Sequence, residues 1–234
     1  MFMEKQSPTP GKREAGYCAA EMVKDGTIVG LGTGSTVLLA MERLSARIME
    51  GLSIQGVPTS YETEIRARRF GIPLTTLDEY PEIGVAIDGA DQVDNKRRLI
   101  KGRGAAHTRE KCVAAAAAEL VIVVTGNKVV TKLDAPVPIE VIPFAISPVE
   151  RAVQRLGGVT VLREGGGKDG PVITDNGNFV LDCRFGAIGD PEDLEQCLTA
   201  LPGVLTCGLF TGFCEKTTVV VGEVDKCHIV YPLK

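Results

Sequence analysis

The chain has 234 residues, with 26 basic and 30 acidic side chains and a formal net charge of −4. That balance excludes a dedicated binder of nucleic acid or of an anionic membrane, which needs a surplus of lysine and arginine on one face. With 44% hydrophobic and 24% charged residues, the composition is that of a folded globular protein of one or two domains, not a disordered or fibrous one.

The N-terminus, with Glu4, Lys5, Pro8 and Pro10, lacks the apolar core of a signal peptide. The most apolar stretch, residues 112–125, is interrupted by Glu119 and falls short of the roughly 18 apolar residues a membrane span needs. A soluble, cytoplasmic protein is expected. Seven cysteines, none in C-x-x-C spacing, indicate neither a disulfide framework nor a zinc knuckle, and most are expected to be small buried hydrophobes. Only His107 and His228 are present, so no metal site is expected.

In chain order, residues 27–31 read as a buried strand and 32–36 as a glycine-rich turn. Val37, Leu38, Met41, Leu44 and Ile48 then step by three and four along a helix face. A strand at 53–57 and a helix at 61–70, stopped by Gly71 and Pro73, repeat the unit. Further strands are expected at 73–77, 84–87 and 120–124, with a helix at 105–119. This alternation predicts a parallel sheet covered on both faces.

Beyond Lys132 the texture changes: a strand at 139–142, a helix at 147–156, strands at 159–163 and 178–183, a helix at 191–201 and a strand at 204–210. That β-α-β-β-α-β order is the ferredoxin-like arrangement. Residues 165–170 read as a flexible hairpin tip, and 217–221 with 228–231 as strands returning to the first sheet. The fold class expected is α/β: a Rossmann-like parallel-sheet domain, residues 1–133 plus 212–234, carrying an inserted smaller α+β domain, residues 134–211.

Three loops can carry chemistry. Gly32, Thr33, Gly34, Ser35 and Thr36 join a strand to a helix, where backbone amides, the helix dipole and hydroxyls converge on an anion. The plain alternative is a tight turn capped by Ser35. Asp88, Gly89, Ala90 and Asp91 follow a buried strand, so two carboxylates at its carboxyl end can face one ligand and exchange protons with its hydroxyls; alternatively Asp88 shapes the turn and Asp91 is a solvated charge. Lys101, Gly102, Arg103 and Gly104 run into a helix bearing Glu110 near its first turns. A glutamate there can act as a base toward a carbon acid and Lys101 can stabilise an oxyanion, unless Arg109, Glu110 and Lys111 are an ordinary charged helix face. An anion nest, two acids, a lysine and a glutamate suit a phosphorylated sugar and proton transfer beside a carbonyl.

With Glu140-Val141-Ile142-Pro143 and Thr174-Asp175-Asn176-Gly177-Asn178, these motifs resemble, in order and from about Lys12 to the C-terminus, the A-type ribose-5-phosphate isomerases. The resemblance implies interconversion of ribose 5-phosphate and ribulose 5-phosphate, a step of the non-oxidative pentose phosphate pathway, without metal or organic cofactor. It implies Glu110 as proton acceptor, with Asp88, Asp91 and Lys101 completing the catalytic set. Substrate contacts would come from Thr33, Gly34, Ser35, Thr36, Asp88, Gly89, Ala90, Asp91, Lys101, Gly102, Arg103, Gly104, Lys128 and, near the phosphate, Lys12. A homodimer or homotetramer with the inserted domain as lid or oligomerisation element, and a small sugar phosphate as the only partner, are expected on the same ground. Two residues depart from the family pattern: Arg103 replaces the middle of three glycines, and His107 stands where a leucine-like residue is usual, which is expected only to alter the helix face.

Two rival readings use the same features. A non-catalytic sugar-phosphate sensor needs a DNA-binding module, and fewer than about 30 residues precede the first strand, too few for a helix-turn-helix with its supports. Retention of Glu110 and both aspartates also speaks against it. Acyl-CoA transfer through a catalytic glutamate draws no support from the other motifs.

Overall fold

The computed structural model describes residues 9–167 and 169–231; Glu4, Lys5 and Pro8 of the N-terminus and Lys168 of the glycine-rich tip lie outside them. The elements are α1 (Pro10–Glu21), β1 (Thr27–Leu31), α2 (Ser35–Met49), β2 (Ile54–Pro58), α3 (Tyr61–Arg69), β3 (Ile83–Gly89), β4 (Gln92–Val93), β5 (Leu99–Ile100), α4 (His107–Ala116) and β6 (Ala117–Thr125). The chain continues through β7 (Val137–Val141), α5 (Ile146–Arg155), β8 (Val159–Leu162), β9 (Phe179–Arg184), α6 (Pro191–Thr199), β10 (Val204–Cys207), β11 (Leu209–Phe210), β12 (Thr217–Glu223) and β13 (Lys226–Val230).

Six strands form the main sheet in the order β13-β12-β6-β3-β1-β2, all parallel except the edge strand β13. Its central strand β6 shows why both faces are covered. Val121 and Val123 pack with Ala15, Ala19 and Leu44 of α1 and α2, while Leu120, Ile122 and Val124 pack with Val113 and Ala114 of α4. Alternate residues of one apolar strand thus feed two cores, which is what a continuous apolar run in a parallel sheet requires.

The second sheet, β10-β7-β9-β8, is antiparallel and buries Val137, Ile139, Leu181 and Cys207 against Val149 and Val153 of α5 and Leu198 of α6. Asp190 caps α6 by accepting from the Asp193 amide, and Pro191 opens it, where a missing N–H costs nothing. A third, three-stranded sheet, β11-β5-β4, joins the two.

Helix α1 is not among the elements expected from the sequence, and four expectations need correction. Residues 73–77 make only a bridge from Leu74 to Gly56, because Pro73 brings no amide donor and the chain turns back at Thr76. The expected strand 204–210 breaks at Gly208, whose amide donates to Pro138 O while its carbonyl accepts from Lys101 N, so β11 joins β5 instead. Helix α4 gives way to strand at Ala117. The cysteines also differ from expectation: Cys183 and Cys207 are buried, Cys112 is exposed on α4, and Cys18, Cys197, Cys214 and Cys227 are half-buried.

Candidate active site

From β1 the chain crosses to β2 on one side of the sheet, whereas β3 leads to β6 and β12 on the other, so the strand order reverses between β1 and β3. Open α/β sheets bind ligands outside the carboxyl ends of the strands at such a point. Both the residue 32–36 loop and Asp88 stand there.

Only glycine fits at position 32: a Cβ would lie 2.1 Å from Asp88 Oδ1. The Thr33 amide donates to the same oxygen at 3.3 Å, and the Thr33 hydroxyl donates to Ser60 Oγ at 2.8 Å. Helix α2 begins at Ser35 after Gly34, with no side chain capping it. Its first-turn amides are therefore open to an anion. Lys12, on α1, donates from Nζ to Ser35 Oγ at 3.1 Å, which brings a cation to the same spot. Ser35 is thus inside the helix and not its cap. Thr36 follows it in the first turn.

Lys101 is the hub of the buried cluster. Its ammonium stands 2.9 Å from Asp88 Oδ2 and 3.0 Å from Glu110 Oε2, and donates to Gly89 O at 2.5 Å. All three charged side chains are nearly closed to solvent. Burial opposes the Lys101 charge, but the two carboxylates outweigh it and hold its pKa above the ordinary lysine value. Burial pushes the Glu110 carboxyl up to about 8, the Asp88 charge adds to this, and Lys101 pulls the other way. Asp88 is also raised by burial, with Lys101 and the Gly89 and Thr33 amides opposing. A cluster of two carboxyls and one ammonium keeps a proton available near neutral pH.

Asp91 accepts from the Arg103 amide at 3.0 Å, while the Arg103 side chain is 79% exposed and points away from the cluster. Arg103 lies outside the left-handed region, which is taken instead by Gly102 (φ +105) and Ala105 (φ +60). Ala90 links the two aspartates in the β3–β4 connection, and Gly104 lines a cavity of about 140 Å³ with Thr33, Ser60, Ala105 and Asp175. Lys128 stands on the short turn after β6, at the same end of the sheet, with no hydrogen bond or ion pair to the Lys101 cluster among the described residues.

His107 is not on an outer helix face. It is fully buried beneath the loop: a Cβ on Gly102 would lie 2.9 Å from His107 Nδ1, and neither ring nitrogen has a hydrogen-bond partner among the described residues. Burial lowers its pKa to about 4, so the ring is neutral.

Three residues of the second sheet and its connections reach this site without having been singled out for it. Glu140, fully buried on β7, accepts from Thr108, Thr174, Asn176 and Asn178. Asp175 accepts from the Tyr61 amide at 2.7 Å, and Arg163 donates to the carbonyls of Gly102 and Arg103. Glu140 and Asp175 were visible only as members of motifs, and Arg163 carried no signal. Arg109 donates to Asn176 Oδ1 and Asp175 O, and Lys111 to Glu195 and Leu209 O, so both neighbours of Glu110 hold α4 to other elements.

Among known proteins, residues 55–226 match the family model described as ribose 5-phosphate isomerase A (phosphoriboisomerase A). The chain belongs to that family. A ribose-5-phosphate isomerase A of Methanoregula boonei is 56% identical over 219 residues, 94% of this chain and 92% of the relative. The solved ribose 5-phosphate isomerase A of Methanocaldococcus jannaschii superposes with a TM-score of 0.89 at 43% identity, covering 94% of this chain and 97% of the other. A D-ribose-5-phosphate isomerase solved in complex with phospho-erythronic acid gives 0.90 at 40% identity, with the same coverage. Family membership agrees with the fold: the α/β class with a parallel sheet and a separate antiparallel one is shared with these structures.

Proposed function

We propose that this chain interconverts D-ribose 5-phosphate and D-ribulose 5-phosphate through a cis-enediolate, as an aldose-ketose isomerase of the non-oxidative pentose phosphate pathway. The observation that carries the reading is the buried contact of Glu110 with Lys101, itself paired with Asp88, at the crevice where the strand order reverses. Names and sequences of the relatives point the same way.

On this reading the phosphate sits on the open first turn of α2 at Thr33, Gly34, Ser35 and Thr36, near Lys12. The sugar carbons then run toward the ends of β3 and α4. After ring opening, Glu110 takes the proton from C2 and returns it to C1, so no electron acceptor and no metal is required. Lys101 balances the negative charge that develops on the enediolate oxygens, and Asp88 and Asp91 handle the hydroxyl protons. A base with a pKa near 8 is stronger than an ordinary glutamate, at the cost of being about one-tenth ionised at pH 7. Gly89, Ala90, Gly102, Arg103, Gly104 and Lys128 complete the proposed substrate surroundings.

The same reading makes residues 1–133 with 212–234 the catalytic unit and 134–211 an inserted unit that closes over it or joins copies. It places the enzyme in the cytoplasm as a homodimer or homotetramer. Among the described residues no helix is long and apolar enough to cross a membrane.

Glu110→Gln tests the assignment, since it removes the base while keeping size and hydrogen-bonding capacity. Ribose 5-phosphate should still bind, with kcat reduced by at least about a hundredfold. A variant with near-normal kcat in a ketose-formation assay removes Glu110 from the mechanism.

A further inference from the structure

The loop that carries Lys101 is held from the second sheet by one side chain. Arg163 directly follows β8, and its backbone is fixed there: its amide donates to Val180 O at 2.9 Å and its carbonyl accepts from the Val172 amide at 2.8 Å. The guanidinium then divides its donors. Nε and Nη2 fork onto the two oxygens of Asp182, on β9, at 2.9 and 2.5 Å. Nη1 donates to Gly102 O at 2.8 Å and Arg103 O at 3.0 Å. Two successive carbonyls converging on one point repel each other unless a donor lies between them. Arg163 supplies it, charged, and with its side chain only 16% exposed. Through Gly102 O and Arg103 O it acts on the loop backbone.

The loop needs such a constraint. Gly102 and Ala105 both have positive φ, the Ala105 amide bonds back to Gly102 O, and beneath Gly102 lies the unpartnered His107 ring, which offers packing but no hydrogen bond. On the other side Asp91 accepts from the Arg103 amide, and Lys101 N donates to Gly208 O. Removing Arg163 frees the stretch immediately after Lys101, and the ammonium must stay within 3.0 Å of two carboxylates at once.

We propose that Arg163, oriented by Asp182, is a positioning residue of the isomerase reaction: it fixes the Gly102–Arg103 turn so that the Lys101 ammonium stays between Asp88 and Glu110. This rests on the functional reading above. It makes the second sheet a working part of the catalytic loop, because the fork that orients the guanidinium lies wholly on that sheet.

The test uses Arg163→Lys and Asp182→Asn in the full chain. A lysine keeps the charge but has no planar fork to grip Asp182 while bridging two carbonyls. Each variant should lose about 10- to 100-fold in kcat with KM for ribose 5-phosphate changed less than about threefold, as expected for misplacement of a reacting group. The pH profile adds a readout that simple loss of folded enzyme does not move. The groups facing Glu110 are Asp88 and Asp91, which raise its pKa, and Lys101, which lowers it. Loosening Lys101 therefore moves the acid limb of kcat/KM to higher pH than in the wild type. Hydrogen exchange at the amides of Arg103 and Ala105 should also quicken at least about tenfold in either variant. Wild-type-like kcat and acid limb in both variants, or unchanged exchange at those amides, overturn the proposal. Wild-type protein inert toward ribose 5-phosphate overturns the isomerase reading instead, and the exchange measurement still decides whether Arg163 holds the loop.

Discussion

Arg103 stands where the resemblance implies a glycine, and its geometry says how an arginine is accommodated. The position does not use positive φ, so a Cβ is not strained there; the left-handed conformations fall on Gly102 and Ala105. What the loop takes from residue 103 is backbone: its amide donates to Asp91 and its carbonyl accepts from Arg163, while the guanidinium stands in solvent 3.5 Å from Asp91. An exposed pair of that kind contributes about 0–1 kcal/mol. Arg103→Gly should therefore change kcat/KM by less than about tenfold, or about 1.4 kcal/mol. A larger loss, concentrated in KM and softened by added salt, would make the guanidinium a substrate ligand.

At the scale of elements, the site is a meeting of helix starts. The start of α2 offers open amides, α1 brings Lys12 to Ser35, and α4 presents Glu110 one turn in. On the proposed reading, a phosphate held at α2 makes its interactions equally in the ground and transition states. Ser35→Ala or Thr36→Ala should accordingly raise KM more than it lowers kcat. Collapse of kcat with KM unchanged would move that loop to the reacting end of the sugar. These loops could be read from sequence because each is a local string of glycines and polar residues between apolar runs. Helix α1 could not: its buried side is Gly11, Ala15, Gly16, Ala19 and Ala20, which gives little apolar contrast. The two-residue strands β4 and β5 are too short for any period. The contacts of Arg163 with Gly102 and of Asp175 with Tyr61 join residues 61 and 114 positions apart, which no local pattern encodes.

Across the whole molecule, two buried glutamates couple folding to pH with opposite signs. Glu140 anchors the second sheet to α4 and to the 174–178 turn through four side-chain donors. Burial works to raise its pKa, but those hydrogen bonds win and hold it below the ordinary carboxylate value. Its contribution is present above the ordinary range and is lost as the pH falls through the lowered value. Glu110 is the reverse case. Its folded pKa of about 8 exceeds the ordinary 4.5, so the folded state holds a proton the unfolded chain has released, and stability falls as pH rises between those two values. Lys101, held charged by its carboxylates, titrates above this window. Glu110→Gln is a neutral replica of the protonated side chain and removes that alkaline penalty. The variant should therefore melt at the same temperature as wild type near pH 4, below both values, and at least about 4 °C higher near pH 9, equivalent to about 1–2 kcal/mol for a chain of this size. The residue that costs most activity when replaced would thus be one whose replacement stabilises the fold, as expected where a charge is buried for chemistry. Thermal melts of both proteins at the two pH values decide it: equal differences from wild type at pH 4 and pH 9 would mean that the Glu110 carboxyl is not raised in the folded state, and that Lys101 holds its carboxylate at least as strongly as burial opposes it.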